Sequence, residues 1–582
     1  MTSCVPLLVA YHIYRDAHMN SIYSVAVPRV RAAALKSPPQ RYCLQLLSKV
    51  FTHRDRIRTM TSTPEGKLDR LYPAPSPSPS VQAPRRLPGS TPESTSTLIK
   101  VLKDNHVKWH IFFNDKGFHN HASHHLLALF DLGANGPNIE AAYETHTSYL
   151  LPAYESPHPI TQRNFHEHLG DGDYYNAYLN FFTDRLLEQG AAATIEEYIF
   201  SPKVNVEPPA PGQPPMLMAN RFLSGLLHPL IHTGYGCEFG LLGQLAEGLA
   251  ETAVHKPLAP ALTPPTLMKY VGAATTDLTN ATLSAASNLV PRFVLDQFRR
   301  VAGPAKPMTQ KGIHALSLVS RIMQDDYYSY KTIALPPPAN SEEDTSLERT
   351  LHLRGERLAE ITQEWTVDGT NAAEVEKKIE ELFWTNVVIF GIAGWGGREK
   401  SKTGKFNGDF FFLHLVTSVL FLPSIVAYLS PTSTSILLRT YLLNTLALYV
   451  ARGRPALPVA EFFDNVNPAP SPPAASLPQT KPADGTLIAD NQTPSPWFAI
   501  LQSTLEHPDD HLVKLQRSLA HFSSLYGSAP AGYLKELGVE LEGVERIDGS
   551  LFVRVAGLAM ERVGWMREGQ ERDEWDFDGF FH

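Results

Sequence analysis

The chain runs to 582 residues, 43% of them hydrophobic, with 51 Lys and Arg against 59 Asp and Glu and a formal net charge of -8. That apolar share can fill a large core, and an acidic balance without a basic stripe gives no electrostatic footing for nucleic acid. The three cysteines, Cys4, Cys43 and Cys237, are too few and too scattered for a disulfide framework or a thiolate zinc site, which points to a reducing, cytoplasmic setting.

The first 97 residues differ in character from the rest. Arg15, Arg29, Arg31, Lys36, Arg41, Lys49, Arg54, Arg56 and Arg58 face only Asp16 and Asp55 before Met60, the bias of a mitochondrial transit peptide, although Pro28, Pro38 and Pro39 interrupt any long amphipathic helix. Met60 opens Met-Thr-Ser-Thr-Pro-Glu-Gly, which reads as an alternative start. A Pro/Ser alternation from Pro73 to Ser80 leads into a segment too poor in apolar surface to order itself. The expectation is a disordered extension over 1–97 and one large, mainly α domain over 98–582. Apolar spacings of three and four between Pro-rich breaks at 207–215, 257–265, 335–340 and 467–483 support the helical reading. No fixed-period repeat suggests a solenoid.

Four histidines fall within seven positions in Gly117–Ala134 and run into the apolar pattern Leu126, Leu127, Leu129, Phe130, Leu132, which stops at Gly133. This predicts a helix carrying His121, His124 and His125 on its first turns. His121 and His125 are four apart and share a face. A second pair at the same spacing, His228 and His232, lies in Leu227–Gly236, where Tyr235 and flanking glycines would admit a flat aromatic ligand or simply end a helix. Gly391–Gly397 is glycine-rich but lacks the G-x-G-x-x-G spacing and a βαβ context, so no nicotinamide or flavin site is read there. Trp384, Phe390 and Trp395 nearby are candidates for a pocket wall and equally for core.

His414 stands inside the apolar run Phe410–Ser418, and His511 follows Asp509-Asp510. The run to Tyr428 and the next, Ile436–Val450, contain His414, Pro423, Ser424 and Arg439. They are therefore expected to be buried helices rather than membrane spans. A short strand is expected at 550–555, after the turn signal Asp548-Gly549. Burying an unpartnered polar group costs roughly 1 to 3 kcal/mol, so histidines at four separate apolar sites need shared compensation, which one metal ion would supply. The expectation is that one of His121 or His125, one of His228 or His232, and both His414 and His511 surround a single point. The deeper members, His125 and His232, are preferred on burial. Zinc protease chemistry is disfavoured because Pro229 occupies the position where that helix needs its glutamate. Lys514, one helical turn after His511, has two readings: an ion pair with Asp510, or a carbamate supplying an anionic oxygen to the metal, a part for which Glu238 and Asp510 also qualify.

These stretches, His119–Ala134, His228–Gly240, Asp409–Pro423, Asp509–Leu519 and Arg554–Glu561, resemble the questin oxidase-like proteins of fungal secondary metabolism. The resemblance implies an oxygenase that cleaves or oxidises a fused-ring, anthraquinone-like polyketide with dioxygen by Baeyer-Villiger-type chemistry. It further implies non-haem iron at the histidine-rich site, and NADPH as reductant. Lys514 and Tyr235 are the catalytic candidates, and His121, His125, His228, His232, His414 and His511 the metal candidates. Two other classes stand beside this one: an NADPH-dependent Baeyer-Villiger monooxygenase without the iron site, and a non-catalytic helical interaction protein.

Overall fold

The structure, a computed structural model, describes residues 64–114, 116–264, 312–337, 345–401, 404–473, 483–485, 487 and 495–582. Among them helices carry the fold, and the only β pairing is three isolated bridges. The principal helices are α1 (Pro64–Leu71), α2 (Pro92–Lys108), α3 (Ala122–Asp131), α4 (Gly136–Thr147), α5 (Tyr175–Gln189), α6 (Ser224–Phe239) and α7 (Leu242–Val254). They continue as α8 (Ser346–Thr362), α9 (Ala372–Val387), α10 (Phe410–Val419), α11 (Leu422–Val426), α12 (Pro431–Ala451), α13 (Asp510–Tyr526) and α14 (Leu551–Val563).

Four of these helices close a ring. Helix α3 packs on α13, α13 on α10, α10 on α6, and α6 back on α3, while α7 backs α6, α9 backs α10 and α14 backs α13. All ten residues of α3 are buried, and its polar members Ser123, His124, His125 and Asp131 are each met by a polar group on another element. The ring is clamped from inside by Arg517 on α13, whose guanidinium donates to Asp131 at the end of α3 (2.8 Å) and to Glu238 on α6. Removing one partner of such a buried ion pair costs about 3–5 kcal/mol, because it strands the others.

Helix starts are set by local chemistry. Asp409 caps α10 by accepting from the Phe411 and Phe412 amides, and Arg452 at the end of α12 binds the same carboxylate at 2.7 and 3.0 Å. Asp509 caps α13 by accepting from the Leu512 amide. Each cap contributes about 0.5–2 kcal/mol and fixes where the following histidine projects. The two apolar runs expected to be core form α10, α11 and α12. Helix α12 is long and apolar enough to cross a membrane, but 89% of its most apolar window is buried inside the protein.

Two expectations require correction. The strand at 550–555 is instead the start of α14, whose Phe552, Val555, Ala556 and Ala559 face the core at helical spacing; the short alternation mimicked a period of two before the longer pattern became visible. The disordered extension does not reach residue 97. Residues 64–97 hold α1 and the start of α2 and bury Leu71, Tyr72, Ala83 and Ser94, and the Tyr72 hydroxyl donates to Glu247 on α7 at 2.5 Å. The Pro/Ser segment stays ordered because its few apolar residues dock on the core instead of on each other. The basic segment before Met60 lies outside the described residues.

A chain beginning at residue 95 would lose the buried Tyr72 contact and expose the α7 face beneath it. Loss of a buried aromatic costs about 3–5 kcal/mol, so the thermal midpoint of the truncated chain should fall by several degrees. An unchanged midpoint would mean that residues 64–94 add nothing to the fold.

Candidate metal centre

The helix ring delivers one histidine from each member to its centre. His121 is the residue that caps α3, His228 stands at the first regular turn of α6, His414 one turn into α10, and His511 in the first turn of α13. Their ring centroids form a closed circuit: 4.8 Å from His121 to His228, 4.9 Å to His414, 5.2 Å to His511 and 4.8 Å back to His121. One ligand nitrogen from each of His228, His414 and His511 lies within 4.8 Å of the others. Opposite ligands on one ion are about 4.2 Å apart, so small ring rotations would close the set on a cation.

The outer nitrogens say which inner nitrogens carry lone pairs. His228 Nδ1 donates to the Gly225 carbonyl at 2.5 Å, and His414 Nδ1 donates to the Phe410 carbonyl at 2.8 Å. A carbonyl only accepts, so both rings are protonated at Nδ1 and turn a bare Nε2 inward. His121 Nδ1 and His511 Nδ1 face the two oxygens of Asp510 at 3.1 and 3.3 Å. The contact from His121 is electrostatic, since Asp510 Oδ2 lacks a partner in hydrogen-bond geometry. At the centre, His121 Nε2 meets His228 Nε2 at 2.7 Å, and the Nε2 atoms of His414 and His511 are buried without a partner.

A proton cannot satisfy this arrangement. If His121 donates from Nε2 to His228, it turns a lone pair from Nδ1 onto the Asp510 carboxylate. Doubly protonating His121 is opposed first by burial and then by the Lys514 ammonium, which hold it well below the ordinary histidine range. Burial together with neighbouring cationic and histidine groups does the same to His228 and His414. Asp510 itself would be raised by burial, but His511 and Lys514 outweigh that and keep it well below the carboxylate range. Four imidazoles with a carboxylate behind two of them therefore fit a divalent first-row cation, which would accept a lone pair from each ring at once.

The other expected residues lie elsewhere. His125 is one turn beyond His121, about 6 Å along the axis, and its Nδ1 pairs with His146 Nε2 on α4 at 3.1 Å. His232 is one turn beyond His228 and meets Glu247 on α7 at 2.8 Å and His124 at 3.0 Å. The preference for the deeper histidines fails because the centre sits where the helix starts converge, while the deeper rings are buried against second-layer helices. Glu247, drawn down to about 2 where donors from His106 and His232 outweigh its burial, anchors that layer.

Lys514 Nζ contacts Asp510 Oδ2 at 2.7 Å, as in the ion-pair reading; a carbamate would require this contact to open, since two anions would otherwise face each other. Tyr235 packs behind His124, between Phe421 and the Arg517 guanidinium, one layer from the centre. Glu238 is held by Arg517. Trp384 packs on Phe552 and Trp395 on Phe462 in the core, away from the rings. Gly391 packs where a Cβ would strike Val555, so the glycine-rich stretch serves close helix packing.

Glu247 and Glu251 escaped the sequence reading. They are buried carboxylates four apart in the apolar helix α7, and that placement was the available signal, since acids seldom lie inside an apolar stripe unless something binds them. His119 was counted in the first histidine cluster but given no role, and His255 was not singled out.

Residues 118–519 match the family model described as questin oxidase-like. The oxidoreductase AflY of Aspergillus parasiticus is 36% identical over 163 residues, 27% of this chain and 31% of that protein. Questin oxidase of Aspergillus terreus is 28% identical over 160 residues, 27% of this chain and 34% of its own. The Baeyer-Villiger monooxygenase dmxR6 of Cryptosporiopsis is 23% identical over 384 residues, 65% of this chain and 74% of its own. The first two alignments thus span about a third of those relatives' length.

Asp510→Asn should weaken metal retention about 10- to 100-fold, the usual effect of losing a carboxylate behind ligating histidines. Metal content after dialysis against graded chelator measures this; wild-type retention would show that Asp510 does not orient the rings.

Proposed function

The chain belongs to the questin oxidase-like family, and on that premise we propose that it is an oxygen-using oxidoreductase acting on a fused-ring aromatic polyketide at iron held by His121, His228, His414 and His511. The observation that carries the proposal is the convergence of four ring edges whose outer nitrogens are engaged, those of His228 and His414 by backbone carbonyls and those of His121 and His511 by the Asp510 carboxylate. Relatives named questin oxidase and Baeyer-Villiger monooxygenase supply the reaction class, insertion of oxygen beside a ring carbonyl. Iron in this donor set would supply dioxygen binding and redox capacity, since four neutral imidazoles leave positions open.

The protein's own part is placement and exclusion. The Gly225 and Phe410 carbonyls and Asp510 keep the imidazoles oriented, and the Lys514 ammonium neutralises Asp510, so the donor set stays electrically neutral. Phe410 covers the outer side, its ring 4.8 Å from both His414 and His511, which limits water at the centre. A cavity of about 1280 Å³ lined by Phe112, His119, Tyr154, Phe411 and Leu448 reaches the cluster through His119, stacked on His228 at 3.9 Å. It exceeds the roughly 300–1,000 Å³ usual for a drug-sized ligand, room enough for a flat polycyclic substrate between aromatic walls. NADPH enters this proposal by resemblance alone.

Protein purified without oxygen should carry at least one equivalent of iron and consume dioxygen with questin or a related anthraquinone. His414→Gln should keep the thermal transition, lose that iron and bring oxygen uptake to background. Metal-free protein that turns over with NADPH and a flavin would overturn the iron reading in favour of a flavin-type monooxygenase.

A further inference from the structure

Beside the four-histidine cluster lies a second set of donors that the proposed function does not use. His119 and His255 oppose each other with their Nε2 atoms 2.7 Å apart. Glu251, whose side chain is 1% exposed, places Oε1 3.4 Å from His119 Nε2 and 3.9 Å from His255 Nε2, with Oε2 3.4 Å from His232 Nδ1. Neither Glu251 oxygen has a hydrogen-bond partner. A buried carboxylate left in this state costs several kcal/mol, and a single proton shared between the two rings does not reach it.

The surroundings are shaped to keep the space between these atoms open. Gly225 presents a bare Cα there, and a Cβ on it would stand 2.6 Å from His255 Nε2 and 3.1 Å from His119 Nε2. Gly225, Leu226 and Leu227 all have left-handed backbone, φ 51°, 57° and 67°. For a non-glycine residue that conformation costs roughly 1–2 kcal/mol, so the turn is held by its context. Phe112 meets both rings edge-on at 5.6 and 5.3 Å, fixing their planes. Both histidines line the 1280 Å³ cavity, unlike the four rings of the first cluster.

We propose that His119, Glu251 and His255 form a second site for a first-row divalent cation, a two-histidine, one-carboxylate set open to the cavity. Two neutral imidazoles and one carboxylate on one side of an ion leave the remaining positions free for water or for an oxygen of a cavity ligand, the arrangement that suits iron(II). The ring of His119 stacks on His228, so the two centres are neighbours, yet no residue is required by both. The second site stands or falls independently of the first.

Titration of the chelator-stripped full-length protein with cobalt(II), followed by visible absorbance, tests this. The wild type should saturate at two equivalents. Glu251→Gln and His255→Gln should each saturate at one, with an unchanged circular dichroism spectrum, and His414→Gln should also saturate at one by losing the other ion. Saturation of the wild type at a single equivalent that His414→Gln abolishes would overturn the second site and leave the first intact. Two equivalents that persist in both Glu251→Gln and His255→Gln would overturn it as well.

Discussion

Four imidazoles meet at the centre of the helix ring with their outer edges already committed, and most of the surrounding structure follows from that constraint. Carbonyls of Gly225 and Phe410 fix two tautomers, and Asp510 stands behind the other two rings. Inside, two Nε2 atoms have no partner and two more lie 2.7 Å apart, an arrangement hydrogen bonds alone cannot satisfy in a site this dry. The ion pairs around the ring hold the rings in register despite this. Arg517 ties α3, α6 and α13 together, and the Asp409–Arg452 pair pins the start of α10.

This geometry explains why the ligand positions sit at helix starts. A side chain in the first turns projects toward the N-terminal end of its own helix, so four helices whose N-terminal ends converge can present four rings to one point without long loops. Histidines one turn deeper fall between helices and become supports instead. His232 bridges His124 and Glu247, and His125 leans on His146. The left-handed turn before His228 belongs to the same scheme, because it brings the Gly225 carbonyl back onto that ring while its bare Cα faces the neighbouring His119 and His255.

Much of this was legible in the sequence. Helical spacing placed α3 and its stop at Gly133, and the histidine and proline inside Phe410–Tyr428 marked it as core rather than membrane. His414 and His511 stood out because each is the lone histidine of its apolar or capped stretch. Spacing could not decide between His121 and His125, or between His228 and His232, since members at i and i+4 share a face and differ only in depth along the axis. Depth depends on where the neighbouring helices cross, which local pattern does not encode. Glu247, Glu251 and the ordered Pro/Ser segment were missed for a related reason: each also has partners more than 100 residues away in the chain, such as Tyr72 on Glu247 and His119 beside Glu251.

The central claim is that the four Nε2 atoms exist to hold one ion. A crystal structure of protein purified without oxygen, with diffraction recorded on both sides of the iron absorption edge, addresses it most directly. The account predicts an anomalous peak within about 2.0 to 2.2 Å of the Nε2 atoms of His121, His228, His414 and His511. Density that shows these four rings bonded to protein or water, with no anomalous scatterer between them, would contradict it.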